Sequence, residues 1–182
     1  MTIPFSQAKY FSPGRGAYKP HIIVIHTMET PENTGRAKQV WQWFAGKTAP
    51  QASAHYMTDS HDVFQSVKET DTAWAVDDFP LNQQSISIEL AGSASQTPAQ
   101  WADSYSRAEL KIVAQLCADI AKRWNIPIIK LSPADILAGK SGFCGHVDIT
   151  VAKQIKGGHT DPGSNFPWAD FIASITHTAP SK

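Results

Sequence analysis

The chain has 182 residues, enough for one domain with a sizeable core. Its 16 lysines and arginines balance 16 aspartates and glutamates, so charge gives no argument for nucleic acid or an anionic membrane. No stretch reaches the ~20 apolar residues of a membrane helix, the N-terminus lacks the apolar run of a secretory signal, and two cysteines make no disulfide framework. These features predict a soluble protein made in a cytoplasm, and a monomer is expected.

Residues 1–20 carry glycine and proline and read as an irregular lead-in. HIIVIH (21–26) is a continuous apolar run, which suits a buried strand. Thr34 is placed to cap a helix whose apolar stripe is Ala37, Val40, Trp41 and Phe44. SAHYMT and DVFQSV flank the polar Asp59-Ser60-His61 and read as a hairpin. SISIEL (85–90) alternates, with Ile86, Ile88 and Leu90 on one face and Ser85, Ser87 and Glu89 on the other.

SRAE at 106–109 has the pattern of a capping box ahead of a long helix that buries Leu110, Val113, Ala114, Cys117, Ala121 and Trp124 and ends near Pro127. Ser132, Pro133 and Asp135 open a short helix that stops near Gly139. A last helix starts near Pro167 and buries Trp168, Phe171, Ile172 and Ile175. Residues 177–182 read as a tail or the start of a linker after a domain spanning 1–176. Strands and helices are interspersed, which predicts an α/β fold with a mixed, mainly parallel central sheet flanked by helices.

His26 and Glu89 each sit near the end of a strand. In parallel neighbours they share the C-terminal edge of the sheet, where open α/β folds place their sites. The serines on the Glu89 face suit a small, partly wet pocket. His146, in GHVDIT, and Asp161, in GHTDPGSNFPW, complete a possible set of two imidazoles and one carboxylate, which is a ligand set for catalytic zinc with a fourth position left for water. Glu89 would then be the base that takes the water's proton. Each residue has a plainer reading. His26 could be a satisfied core histidine, Glu89 a structural carboxylate, and Asp161 a turn residue before Pro162 and Gly163.

IVIHTMET, SAHYMTDSHDVFQSV, TAWA, NQQSISIEL, CGHVDIT and HTDPGSNFPW, in that order over residues 20–176, resemble the zinc-dependent N-acetylmuramoyl-L-alanine amidases of type 2, which share the fold of peptidoglycan-recognition proteins. GRGAYKPHIIVIHTMETPE and HTDPGSNFPW are most similar to endolysins of phages that infect actinobacteria. The resemblance implies one zinc held by His26, His146 and Asp161, with Glu89 as the catalytic glutamate. His159 falls where many relatives carry an oxyanion-stabilising lysine; histidine is not permanently charged at neutral pH.

Ser87 replaces the usual glycine and would narrow the pocket floor, and Ala75 replaces a histidine that often follows the tryptophan. Trp74 and His55 are candidate substrate-binding residues, His55 equally well a packed or supporting one. Trp74 and Trp101 lie in loop-like stretches where they could stack on sugar rings. Cys144 is set aside as a ligand because neighbouring strand residues alternate faces and the set is already full.

The implied function is bacteriolytic cleavage of bacterial peptidoglycan at the amide between the lactyl group of N-acetylmuramic acid and L-alanine, by zinc-activated water, as in a phage lysin acting on the host wall. A non-catalytic muropeptide-binding module of the same fold is the alternative; loss of a ligand would mark it, and all three positions are filled. A cysteine peptidase built on Cys117 or Cys144 fits less well, since neither cysteine follows a polar loop at a helix start.

Overall fold

The apolar run after His21 becomes the central strand of a five-stranded sheet in the computed structural model, which describes residues 2–178. In chain order the elements are β1 (Phe11–Ser12), β2 (Ile22–Thr27), α1 (Arg36–Ala45), β3 (Tyr56–Thr58), β4 (Val63–Gln65), β5 (Thr72–Ala73), α2 (Phe79–Gln84), β6 (Ser85–Leu90), α3 (Pro98–Trp101), α4 (Ser104–Trp124), α5 (Pro133–Leu137), β7 (Gly142–Gly145), α6 (His146–Lys153) and α7 (Trp168–Thr178). The sheet order is β4-β3-β6-β2-β7. Only β4 runs antiparallel, paired with β3 in the expected hairpin. The mixed, mainly parallel α/β class is therefore as predicted.

Alternation along the strands divides the core. Ile23, Ile25, Ile86 and Ile88 pack with Val113, Cys117, Phe171 and Ile175 beneath α4 and α7. The opposite face carries Ile22 and Val24 with Cys144 and Ile149, and Met57 with Ala37 and Phe44 of α1. That second face also carries His26 and Glu89 at its C-terminal edge.

Several elements differ from the sequence reading. The lead-in is pinned: β1 pairs with β5, and the Arg15 side chain is buried against the carbonyls of Glu69, Gln83 and Ser85. Thr34 does not cap α1. Asp59 Oδ2 does, accepting from the Gly35 and Ala37 amides. SRAE is no capping box either, because α4 starts at Ser104 under an Asp103 cap.

Ser106 and Glu109 therefore lie inside that helix. Ser106 bonds Glu32, and Glu109 bonds the Ala91 amide. His146 opens a helix rather than sitting in a strand, and Cys144 is a core residue of β7. Trp101 is buried edge-on against Phe166, so it cannot stack on a sugar. The last helix runs on through Thr178, past the sequence-derived end at 176; Ala179 to Lys182 lie outside the described residues.

Candidate active site

Two parallel strands fix the first pair of groups. His26 and Glu89 are register partners on β2 and β6, one residue from the end of each strand. β7 lies on the other side of β2 and passes at Gly145 directly into α6, so His146 emerges beside His26; the ring centroids are 4.8 Å apart. The loop that brings Asp161 is docked on the same junction. The Val147 amide donates to the Asp161 carbonyl at 2.9 Å, and a Cβ on Gly145 would lie 2.6 Å from Pro162 Cδ, so only glycine lets the loop come this close. The Thr160–Gly163 turn closes with a 3.0 Å bond, and Gly163 takes a φ of 91° against Ala94.

The result is a buried triad. His26 Nδ1 lies 3.1 Å from Asp161 Oδ2 and His146 Nδ1 3.4 Å from Asp161 Oδ1, so each imidazole faces its own carboxylate oxygen. Ligands about 2.0–2.1 Å from a tetrahedral ion stand roughly 3.3 Å apart, which both separations match. His26 Nε2, His146 Nε2 and Glu89 Oε2 are buried without a protein hydrogen-bond partner. The donor set and its spacing thus fit one metal ion. Asp77, His146 and His159 form a second group, but two of its members are exposed.

The electrostatics agree with ligation. Burial holds His146 below its ordinary pKa, against the pull of Asp161, and so in the neutral form a metal requires. Burial alone would raise Asp161, but its hydrogen bonds with His146 and His26 outweigh that and hold it well below the usual carboxylate range. Glu89 is pushed well above that range, first by burial, then by the charges of Asp161 and Glu29. Burial and the neighbouring negative charges thus favour its protonated form.

These residues open into a cleft of about 650 Å³, lined also by Trp43, Trp74, Asp77 and His159. The profile of the N-acetylmuramoyl-L-alanine amidase family matches residues 16–164, which takes in the whole triad and Glu89. The chain belongs to that family. Solved amidase-fold structures superpose over nearly its whole length: the catalytic domain of XlyA (18% identity, TM-score 0.67, 96% of this chain and 99% of that one), AmpD (20%, 0.66, 94% and 93%) and the Staphylococcus aureus hydrolase AmiA in complex with its ligand (16%, 0.64, 99% and 87%). A comparison with curated protein sequences finds no significant match.

Within the amidase fold the remaining expected residues separate. His159 stands at the mouth, 57% exposed, with its ring stacked 4.3 Å from that of His146 and its Nδ1 3.5 Å from Asp161 Oδ1. Trp74 lines the cleft while its indole N–H is taken by Ser12 Oγ. His55 is fully buried and does not line the cleft. Its Nδ1 accepts from the Ser87 amide, its Nε2 lies 2.7 Å from Arg15, and burial with the Arg15 charge lowers its pKa to about 3.

Ser85 and Ser87 are likewise buried under the strand, so they do not form the wet pocket expected of them, and Ser87 does not narrow its floor. Cys117 and Cys144 are free, buried, and have thiol pKa values pushed up by burial, which removes the cysteine-peptidase reading.

Sequence reasoning missed Glu29. It takes a left-handed φ of 51° after β2, accepts from Thr27 Oγ1 and the Ala94 amide, and so ties the loop after β6 to the cleft rim. An exposed glutamate in a Met-Glu-Thr-Pro stretch carries no local signal of such a role. The missed Asp77 faces the cleft for the same kind of reason: only the fold brings it to His146.

Proposed function

We propose that this amidase hydrolyses peptidoglycan at the amide between the lactyl group of N-acetylmuramic acid and L-alanine, in a zinc-dependent reaction. The observation that carries this reading is the convergence of His26, His146 and Asp161 at the edge of a cleft that also holds Glu89. A zinc ion held by those three residues would supply Lewis-acid polarisation of the scissile carbonyl and bring the pKa of water to ~7.

The chain's own groups do the rest. Asp161 is held ionised and His146 neutral, the forms in which each binds a metal. Glu89, with Oε2 unengaged, takes the proton of the attacking water and passes it to the leaving alanine nitrogen as the carbon–nitrogen bond breaks. The water oxygen remains on the lactyl carboxylate. His159, at the mouth, donates toward the carbonyl oxygen as charge develops there.

The biological setting we infer is that of a phage endolysin acting on a bacterial cell wall. Its support is the likeness of IVIHTMETPE and HTDPGSNFPW to lysins of actinobacterial phages. Digestion of purified peptidoglycan followed by mass analysis of the released ends tests the activity. New L-alanine amino termini should appear with zinc and cease with a chelator. New reducing sugar ends, or cleavage inside the stem peptide, would overturn the assignment.

A further inference from the structure

One wall of the cleft is not used by the chemistry above. α1 presents two faces. Ala37 and Phe44 enter the core, with Trp41 packed beside them, while Arg36, Gln39 and Trp43 line the cleft at i, i+3 and i+7. Trp43 is 48% exposed there, so this row is open to a ligand.

Arg36 is the only lysine or arginine among the lining residues, in company with Glu29, Asp77, Glu89 and Asp161. None of these carboxylates pairs with it, and among the described residues no acid lies within ion-pair distance of its guanidinium. Its Nη1 donates to Gln39 Oε1 at 2.9 Å, which orients the fork, and its Nε is buried without a partner. A buried N–H of a charged group is costly to leave unmatched, and a guanidinium recovers most from a planar anion that takes two of its donors.

We propose that Arg36 is a specificity residue that binds a free carboxylate on the peptide part of the substrate. This rests on the amidase reading: the lactyl carboxyl is tied up in the scissile amide, so the free carboxylates lie on the peptide side. Arg36 then selects stem peptides whose carboxyl groups are free over those in which they are amidated. Lysine would serve less well, because it offers a point charge rather than a fork.

Calorimetric titration of the zinc-loaded full chain with a synthetic stem tripeptide beginning with L-alanine tests this, using one form with free carboxyl groups and one with all of them amidated. The unaltered protein should bind the acid form tighter by about tenfold or more, as expected for a charge-assisted bond. In Arg36→Gln that preference should fall below about threefold, and Arg36→Lys should keep part of it. Melting temperatures of the variants establish that each is folded. An unaltered preference in Arg36→Gln, or no preference in the parent protein, overturns the proposal. No bond is broken in this experiment, so it is distinct from the amidase reading. Arg36-dependent preference without any wall cleavage would sink the enzyme assignment alone.

Discussion

His26 and Glu89 face one another across the parallel β2–β6 ladder, so the first candidate ligand and the candidate proton carrier are held by backbone hydrogen bonds rather than by loops. Neighbouring strands stand about 4.8 Å apart, and that spacing fixes the distance between the two side chains. The same ladder gives Glu89 its character, because the strand sets it at the cleft where burial and the Asp161 charge favour its protonated form.

Glu89→Gln therefore separates proton transfer from metal binding. The amide keeps the shape of the carboxyl but cannot accept the proton. Bound zinc should be unchanged while hydrolysis falls by roughly 10²–10⁴-fold. Parental activity in the zinc-loaded variant would place the base elsewhere.

The triad is tested by removal of its members and of the metal. The parent protein should carry about one zinc per chain, and His26→Ala, His146→Ala and Asp161→Ala should each lower that occupancy. A chelator should abolish hydrolysis and lower the melting temperature, because an ion bound only to the folded chain stabilises it, and zinc should restore both. Full zinc in all three variants would remove this ligand set.

Glu109 offers a test of stability against pH away from the cleft. It is fully buried in α4; Oε1 accepts from the Ala91 amide at 2.8 Å and from Thr58, while Oε2 has no partner. Burial raises its pKa well above the ordinary value, against those two hydrogen bonds. Its contribution is fully present below the ordinary carboxylate pKa and is lost as pH rises through the raised folded value, since over that window the folded chain holds one more proton than the unfolded chain. Glu109→Gln should flatten the fall in unfolding free energy as pH rises above the ordinary carboxylate pKa, measured by denaturant titration. An equally steep fall in the variant would show that other groups cause it.

What the sequence made legible follows from period. The runs at 21–26 and 85–90 alternate or stay apolar long enough to be read as strands, and strand ends at one sheet edge bring His26 and Glu89 together. Three short helices were not legible: α2, α3 and α6 span four to eight residues, less than the window over which a helical period shows. Local patterns misled where tertiary contacts outbid them. Ser106 and Glu109 have capping-box spacing, yet their side chains serve Glu32 and Ala91, and the cap of α1 comes from Asp59 on the hairpin turn, more than twenty positions away. His55 and Arg36 show the limit most plainly. Neither has a neighbour in sequence that reveals whether it faces the core or the cleft.

His159 supplies the remaining test of the site. Its ring lies against that of His146, and its Nδ1 is 3.5 Å from Asp161 Oδ1, yet it is mostly exposed while both of those residues are buried. It therefore sits beside the triad, and its proposed role is to donate to a substrate oxygen. Removal of one oxyanion donor typically costs ~10²–10³ in turnover. His159→Ala should accordingly retain zinc and lower kcat far more than it raises KM, since the lost bond strengthens only as charge develops. His159→Lys should recover much of the rate, and because an ammonium stays charged to higher pH than an imidazolium, it should hold that rate to higher pH if the donor must be charged. Loss of zinc from His159→Ala would instead make His159 a ligand, and the second group with Asp77 and His146 would become the metal site.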